Sequence, residues 1–317
     1  MTDPKIEAPA TADSETSGVD AVLRCGYIAV VGAPNAGKST LVNHLVGAKV
    51  SIVTPKVQTT RSRILGVAAR GAVQMIYVDT PGIFQPRRRL DRAMVAAAWG
   101  GVADGDVTVL LIDVKRGLDG DFKRIMEGLE KSNRKAVLAL NKIDLIPRTE
   151  LLGLASELDA TGLFTDIFMI SALKGDGMED LAAALAPRLP EGPWLFPEDQ
   201  LSDLNDRLFA AEITREKLYL RLHQELPYAL TVETEGWELF RNGDVRIEQT
   251  IYVERASQKG IVLGKGGERI KAIREEAIAD IQEFLGCKVH LFIFVKVREK
   301  WGDDPERYRD WGLDFNA

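Results

Sequence analysis

The stretch GYIAVVGAPNAGKSTLVNHLVG, residues 26–47, joins an apolar run to a glycine-rich loop and then to an amphipathic segment. Its centre, GAPNAGKS, fits the phosphate-loop pattern G-x-x-x-x-G-K-[ST]. In such a loop the two glycines allow backbone N–H groups to wrap a β-phosphate, while the lysine reaches the β- and γ-oxygens and the serine ligates magnesium. The candidate phosphate contacts are Gly32, Ala33, Pro34, Asn35, Ala36, Gly37, Lys38, Ser39 and Thr40.

The rest of the first half repeats this alternation of apolar runs and helix-like segments. Further β-rich runs lie at 73–79, 106–114, 135–142 and 166–171, and helix-like segments include 38–47 and 178–187. Continuous apolar strands separated by helices indicate a mostly parallel sheet covered on both faces. We therefore predict an α/β phosphate-loop domain.

A second motif, DTPG at residues 79–82, ends the next apolar run. A carboxylate at this place holds magnesium through a water, and a glycine amide reaches the γ-phosphate. Alone, an aspartate that closes a strand is most often a turn residue, but here it follows Ser39 on the same predicted sheet. The candidate residues are Asp79, Thr80, Pro81, Gly82 and Ile83.

A third motif, NKID at residues 141–144, follows a buried strand and predicts a guanine site. The Asp144 carboxylate can accept two hydrogen bonds from guanine, whereas adenine would leave it unpaired at a high cost. The Lys142 stem can cover the base, and Asn141 can tie this loop to the phosphate loop. Ser171, Ala172 and Leu173 end the next strand, where the Ala172 amide can read the guanine carbonyl; Ser171 alone would equally fit a helix cap.

In order across residues 26–187, these motifs resemble those of a translation-factor-class GTPase. The detail Gly-x-Pro-Asn-x-Gly-Lys-Ser, together with QTTR at residues 58–61, is similar to the Era family in particular. That resemblance implies GTP or GDP as ligand and a first-switch threonine that completes the magnesium shell. We expect Thr60 to join Ser39 and Asp79 in this role, with Thr59 as the alternative.

The second switch lacks the usual water-orienting glutamine, because Ile83 occupies its place. Gln85 is a weak alternative, and the run Arg87–Arg89 is expected to face solvent or a partner rather than supply an arginine finger. We therefore expect slow hydrolysis supported by magnesium, Lys38, Thr60 and the Gly82 amide. The resemblance also implies that Asn35 helps to hold a potassium ion, although a turn-stabilising role fits that residue equally well.

Composition divides the chain into four parts: an acidic disordered tail (1–22), the GTPase domain (23–187), a proline-rich linker (188–203) and a second domain (204–317). In the second domain the pattern predicts a helix (204–223), two strands (228–239 and 245–254), two helices (256–263 and 267–285) and a last strand (287–297). The glycine loop GKGG at 264–267 lies between the two helices.

This order resembles a type II KH domain, an α+β fold in which the loop approaches phosphates of single-stranded RNA. The candidate RNA contacts are Arg255, Lys259, Ile261, Gly264, Lys265, Gly266, Gly267, Arg269 and Lys271. A core role is at least as plausible for Ile261, Val262 and Ile270. Relatives usually carry a glycine and an arginine where this chain has Arg274 and Ile278, which places individual contacts in doubt but not the fold.

The net charge of −6, from 41 basic and 47 acidic residues, excludes a surface that binds nucleic acid indiscriminately. Between Arg255 and Arg274, however, six basic residues face only Glu268, a local charge of +5. The sequence has no apolar run long enough for a membrane helix, and two distant cysteines predict no disulfide framework. The three histidines suggest no metal cluster.

The resemblance covers residues 22–317 and implies a cytoplasmic, monomeric GTPase that binds the 3′ end of small-subunit ribosomal RNA and helps to mature the small ribosomal subunit. Two alternatives are an RNA chaperone in which nucleotide is structural, and an ATPase, which Asp144 disfavours. Use of K⁺ and peripheral association with the cytoplasmic face of the membrane stay open.

Overall fold

The computed structural model describes residues 22–222 and 226–317, and this part of the chain forms two β-sheets. The larger sheet has the strand order β2-β3-β1-β4-β5-β6, and only β2 runs antiparallel to its neighbour. The predicted mostly parallel α/β sheet is thereby confirmed. Its strands are β1 (Arg24–Gly32), β2 (Ile64–Arg70), β3 (Val73–Asp79), β4 (Val107–Asp113), β5 (Ala136–Asn141) and β6 (Phe164–Ile170).

Helices cover both faces of this sheet, as the continuous apolar strands require. They are α1 (Lys38–Val46), α2 (Arg89–Asp104), α3 (Gly120–Ser132), α4 (Arg148–Asp159) and α5 (Met178–Leu185). On one face, Leu41 of α1 and Leu181 of α5 enter the core; on the other, Val102, Ile125 and Leu151 do so from α2, α3 and α4. The phosphate loop and the DTPG and NKID motifs all follow carboxyl ends of strands, so they meet at one edge.

Strand β2 was not predicted, because its sequence ILGVAAR is short and carries a glycine and two alanines. Gly66 is required there by packing: a Cβ atom would lie 2.8 Å from Val46 Cγ2 and 2.9 Å from Val42 Cγ1 of α1. The antiparallel pairing follows from the tight turn that joins β2 to β3.

The proline-rich stretch 188–203 lies along the larger sheet and is hydrogen-bonded to it. The Cys25 amide donates to the Pro190 carbonyl (3.1 Å), and the Val67 amide donates to the Leu201 carbonyl (2.9 Å). Gln74, fully buried, bonds to the backbone of this stretch at Phe196 (2.8 Å). These bonds fix the path between the two sheets.

The second part of the chain has the predicted helix–strand–strand–helix–loop–helix–strand order, and the KH-like α+β fold is confirmed. Its sheet, in the order β7-β8-β9, pairs β7 and β8 antiparallel but β8 and β9 parallel. The elements are α6 (Asp206–Arg221), β7 (Leu230–Leu239), β8 (Val245–Val253), α7 (Ala256–Leu263), α8 (Glu268–Leu285) and β9 (Val289–Val297). The predicted end of the first helix, residue 223, lies outside the described residues, as does the tail at 1–21.

The last segment, including α9 (Pro305–Asp310), returns to the GTPase domain. Trp301, Tyr308 and Leu313 form a buried cluster with Leu90 and Met94 of α2. The sequence pattern placed this segment in the second domain (204–317) but did not predict its contact with the GTPase domain. In the described part of the chain, no helix is both long and apolar enough to cross a membrane.

Candidate GTP site and RNA interface

The phosphate loop links β1 to α1 through a backbone that demands glycine. Gly37 adopts φ 101°, and a Cβ atom there would lie 2.4 Å from the Asn141 side-chain nitrogen. The buried Lys38 ammonium donates to the Gly32 carbonyl (3.2 Å) and the Ala33 carbonyl (3.0 Å) at the start of the loop. Burial lowers the pKa of Lys38 to about 8, against the attraction of Asp79.

Three oxygen-bearing side chains converge beside Lys38, one from the first turn of α1, one from the first switch segment and one from the end of β3. Asp79 accepts hydrogen bonds from Ser39 Oγ (2.7 Å) and Thr60 Oγ1 (3.2 Å), and the two hydroxyls lie 3.0 Å apart. Hydroxyl and carboxylate oxygens are the ligands that Mg²⁺ prefers. The structure thus brings together the three residues predicted as metal ligands.

One oxygen of the Asp79 carboxylate lacks a hydrogen-bond donor within the described part of the chain. The carboxylate is fully buried, and burial raises its pKa although Lys38 and its hydrogen bonds oppose this. Among the described residues its Oδ1 atom has no hydrogen-bond partner, and the nearby Ser51 hydroxyl does not reach hydrogen-bond geometry. A buried carboxylate oxygen without a donor is costly unless a cation lies against it, so these residues fit Mg²⁺.

The geometry distinguishes the two candidate threonines of the first switch segment, residues 53–61. Thr59 Oγ1 is engaged inside the segment, with Thr54 Oγ1 (2.6 Å) and the Lys56 carbonyl (2.7 Å). Thr60 instead faces Ser39 and Asp79. A cavity of about 420 Å³ opens between the first switch segment and the phosphate loop; besides Lys38, Ser39 and Thr60, it is lined by Thr40, Gly82 and Lys142 among others.

The second switch loop, residues 79–85, packs against the phosphate loop. The Ile83 amide donates to the Gly32 carbonyl (3.1 Å), and the Ile83 side chain is fully buried in the core. Thr80 Oγ1 donates to the Val30 carbonyl (2.7 Å), which holds the turn through Pro81 and Gly82. The Gln85 side-chain oxygen accepts a hydrogen bond from Arg124 on α3, so Gln85 does not face the cavity. No glutamine of this loop therefore orients a water.

Asn141 ties the base-binding loops to the phosphate loop. It is 2% exposed; its Nδ2 donates to the Ala36 carbonyl (2.8 Å), and its Oδ1 accepts from the Ala172 amide (2.9 Å). The first bond was predicted. The second was not: the amide expected to read the guanine carbonyl is engaged by Asn141, because Asn141 presents both a donor and an acceptor between the two loops.

The remaining candidate base-site residues lie around the Asp144 carboxylate. Asp144 accepts a hydrogen bond from Ser171 Oγ (2.8 Å), and this bond holds the pKa of Asp144 below its ordinary value. Lys142, in a left-handed conformation, donates to Asp113 (2.6 Å) and to the Asn35 carbonyl (2.9 Å). Leu173 is 82% exposed and touches no core. Ser171 therefore holds Asp144 and also stabilises the turn that follows it, where its Oγ accepts a hydrogen bond from the Lys174 amide (3.3 Å).

The GKGG loop of the second domain has the backbone that its glycines predict. Gly264, Gly266 and Gly267 have φ values of 75°, 61° and 82°, which only glycine adopts freely. Lys265 is exposed in their midst, and the Arg269 guanidinium donates back to the Ile261 carbonyl. Ile261 is 49% exposed, whereas Val262 is fully buried and Ile270 packs against the core. Of the three apolar candidates, only Ile261 is free to meet a base.

Basic side chains from both domains line one groove beside this loop. Arg255, Arg269 and Arg221 come from the second domain, and Arg88 comes from the GTPase domain at the start of α2. The groove has a volume of about 440 Å³. Lys259 and Lys271 are exposed on the flanking helices. Arg88 was predicted only to face solvent or a partner, because nothing in the sequence shows how the two domains meet.

The fold and these two sites define a class: a phosphate-loop GTPase domain followed by a type II KH domain. The family model described as "50S ribosome-binding GTPase" matches residues 27–142, and the KH domain model matches residues 225–302. GTPase Era of Rhizobium meliloti (strain 1021) is 62% identical over 292 residues, which are 92% of this chain and 93% of the relative. GTPase Era of Sinorhizobium medicae (strain WSM419) is 60% identical over 301 residues, 95% of this chain and 97% of the relative.

Two solved structures agree with this assignment. One is Era in complex with MgGDPNP and nucleotides 1506-1542 of 16S ribosomal RNA, and the other is a variant of Aquifex aeolicus Era bound to GDP.AlF4-. Each superimposes with a TM-score of 0.87 at 38% identity and covers 92% of this chain and 99% of its own. The chain belongs to the Era family of GTPases.

Proposed function

We propose that this GTPase is a switch whose nucleotide state governs its binding to single-stranded RNA at the 3′ end of small-subunit ribosomal RNA, and that it thereby assists maturation of the small ribosomal subunit. The observation that carries the proposal is that Ser39, Thr60 and Asp79 meet at one site, while Ile261 and Arg269, on either side of the GKGG loop, line a groove with three further arginines. The Era structure with 16S ribosomal RNA supports the choice of RNA.

In the nucleotide site, Lys38 and the loop amides bind the β- and γ-phosphates, and Ser39, Thr60 and Asp79 hold Mg²⁺. The bound Mg²⁺ neutralises charge that develops on the phosphate oxygens. Asp144 selects guanine, and Lys142 covers the base. Asn141 holds the base loops at a fixed position relative to the phosphate loop. The Gly82 amide reads the γ-phosphate.

We propose slow intrinsic hydrolysis, because the side chains that follow Gly82 do not position a water. Ile83 is buried in the core, and Gln85 is held by Arg124. Water positioning then falls to backbone groups of the two switches. Stimulation by RNA or the small subunit would separate this function from the alternative of an RNA chaperone with structural nucleotide: turnover that RNA leaves unchanged would favour the chaperone.

Potassium is a further proposed cofactor, held near Asn35. The Asn35 side-chain nitrogen donates to the Pro55 carbonyl of the first switch segment (2.9 Å), so this residue spans the two loops that enclose the phosphates. A cation there would add positive charge between the β- and γ-phosphates. Turnover measured in potassium and in sodium tests this, and equal rates would leave Asn35 with the turn-stabilising role alone.

The RNA path begins at the GKGG loop, where Lys265 and the loop amides meet phosphates and Ile261 meets a base. Arg255, Lys259, Arg269 and Lys271 extend it along the flanking helices. Arg88, three residues after the second switch loop, adds a contact from the GTPase domain. Each phosphate contact made by these residues increases the affinity for RNA, and this contribution falls as the salt concentration rises.

The run Arg87–Arg89 provides a matched test of this path. In the triphosphate state, Arg88→Ala should weaken binding of a 3′-end ribosomal RNA oligonucleotide and reduce the slope of log affinity against log salt by about 0.7, the value for one lost phosphate on a single strand. Arg87→Ala should leave both unchanged, because Arg87 does not line the groove. Equal behaviour of the two variants would exclude Arg88, and failure of the unaltered protein to bind would refute the RNA function.

We further propose that the protein acts as a monomer in the cytoplasm. Vesicle flotation with and without anionic lipid tests for peripheral association with the cytoplasmic face of the membrane. Sedimentation of the protein bound to a GTP analogue measures its mass and so tests whether it is a monomer.

A further inference from the structure

Helix α6 of the second domain lies directly against the first switch segment. Glu216, 4% exposed, accepts the Val53 amide (2.8 Å) and the Lys49 ammonium (2.6 Å). Lys49 also reaches Asp280 on α8 (3.0 Å). The RNA-binding domain therefore contacts the segment that carries a proposed magnesium ligand.

Arg215, the residue before Glu216, donates hydrogen bonds to the backbone of the first switch segment. Its guanidinium, 1% exposed, donates through one nitrogen to the Thr59 carbonyl and through the other to the Gln58 carbonyl (3.3 Å). Glu212, one turn away on α6, forms an ion pair with it. Burial opposes the charge, but Glu212 together with Tyr219 raises the pKa of Arg215 above its ordinary value, so the donor stays charged.

On the other side of Thr60, Arg61 is fixed by the second domain as well. It is 3% exposed, and its guanidinium donates to Tyr219 Oη (2.9 Å) and to the Leu230 carbonyl (3.0 Å). It also lies over the Trp301 ring at 5.3 Å. The residues on both sides of Thr60 are thus held from the RNA-binding domain, while the Thr60 hydroxyl points at Asp79 (3.2 Å).

We infer that Arg215 is a positioning residue for GTP hydrolysis: it holds the Gln58 and Thr59 carbonyls so that the next residue, Thr60, presents its hydroxyl to the magnesium and γ-phosphate position. The inference rests on the proposed roles of Thr60 and Mg²⁺. It also has a reciprocal consequence, because a ligand that needs Thr60 in place stabilises the contact between α6 and the first switch segment by the same free energy. Nucleotide state and the docking of the RNA-binding domain are coupled through this one side chain.

The test compares Arg215→Ala and Arg215→Lys with Arg207→Ala, a control at an exposed position on the same helix. Affinity for GDP, affinity for a non-hydrolysable GTP analogue with Mg²⁺, the turnover number at saturating GTP, and the Mg²⁺ concentration at half-maximal rate are measured on the full chain. Circular dichroism and urea unfolding confirm that each variant is folded. Lysine keeps the charge but lacks the planar fork that reaches two carbonyls.

For Arg215→Ala we expect analogue affinity and turnover to fall about 10- to 100-fold, the effect of losing one hydrogen bond from a charged donor, because the second contact, to the Gln58 carbonyl at 3.3 Å, is too long to add much. GDP affinity should change less than about twofold. The Mg²⁺ requirement should rise, Arg215→Lys should be intermediate, and Arg207→Ala should match the unaltered protein. Equal losses for GDP and the analogue, or no loss for either, would overturn the inference. If the unaltered protein itself failed to hydrolyse GTP, the proposed function would fail instead.

Discussion

Replacing Asn141 by alanine removes the side chain that joins the phosphate loop to both base loops. Two buried backbone groups lose their partners: the Ala36 carbonyl, 2.8 Å from Asn141 Nδ2, and the Ala172 amide, 2.9 Å from Asn141 Oδ1. Each buried group left unpaired costs about 1–3 kcal/mol. Because water can enter beside the nucleotide cavity and recover part of this, we expect a loss of about 3 kcal/mol in the free energy of unfolding of the GTPase domain.

Urea and thermal unfolding of the nucleotide-free protein measure this loss. At about 2–4 °C per kcal/mol for a domain of this size, the melting temperature of the GTPase transition should fall by about 6–12 °C. GDP affinity should fall as well, since the loops would no longer be held in register. Asn242→Ala, on an exposed turn of the second domain, is the matched control and should change stability by less than about 0.5 kcal/mol.

A loss below about 1 kcal/mol for Asn141→Ala would refute the reasoning, because it would mean that the two bonds are not both buried and unreplaced. Unchanged GDP affinity with the full loss of stability would refute the link between loop register and nucleotide binding.

Three further predictions concern single contacts. Gly82→Ala should weaken the binding of a GTP analogue, because the new Cβ atom would lie 2.9 Å from Pro34 N and force the second switch loop away from the phosphate loop. Calorimetry should show GDP affinity within about twofold of the unaltered protein. An equal loss of affinity for both nucleotides would contradict this. Asp144→Asn should change the preference from guanine toward xanthine nucleotides, by a factor on the order of 10⁴ in relative turnover; a retained guanine preference would remove Asp144 from the base site. Trp301→Ala should lower the unfolding free energy of the second domain by about 3–5 kcal/mol, since the buried indole packs in the interdomain cluster and donates to the Ala229 carbonyl (3.0 Å). A loss of less than about 1 kcal/mol, measured by urea unfolding, would contradict this prediction.

The sequence was informative where chemistry depends on residues close together in the chain. The spacing from Gly32 to Ser39 predicts a strand, a turn and a helix, and the same residues form the phosphate loop. Asp79 and Asn141 end apolar runs, and parallel strands bring such ends to one edge. The glycines at 264–267 likewise predict a loop with positive φ values, which the structure has.

Contacts between distant segments could not be predicted in this way. Arg215 is one of several charged residues in an amphipathic pattern, and nothing in its sequence neighbourhood indicates that it reaches Thr59. Strand β2 owes its place to packing of Gly66 against α1 rather than to β propensity. The engagement of the Ala172 amide by Asn141 depends on the separation of two loops, which a motif does not encode.

The charge pattern gives an intermediate case. A net charge of −6 excludes only indiscriminate binding of nucleic acid, and the local excess of positive charge between Arg255 and Arg274 predicts one RNA path. That Arg88 lines the same groove depends on how the two domains are arranged. The sequence therefore predicts Arg255 and Arg269 of this groove and misses Arg221 and Arg88.

The central claim is that nucleotide state governs RNA engagement at the GKGG loop. The most direct measurement is a crosslinking map of 3′-end ribosomal RNA on the full chain, made once with a non-hydrolysable GTP analogue and once with GDP, both with Mg²⁺. We predict crosslinks at Gly264–Lys271 that are strong with the GTP analogue and weak with GDP. Crosslinks of equal strength in both states, or none at these residues in either state, would contradict the claim.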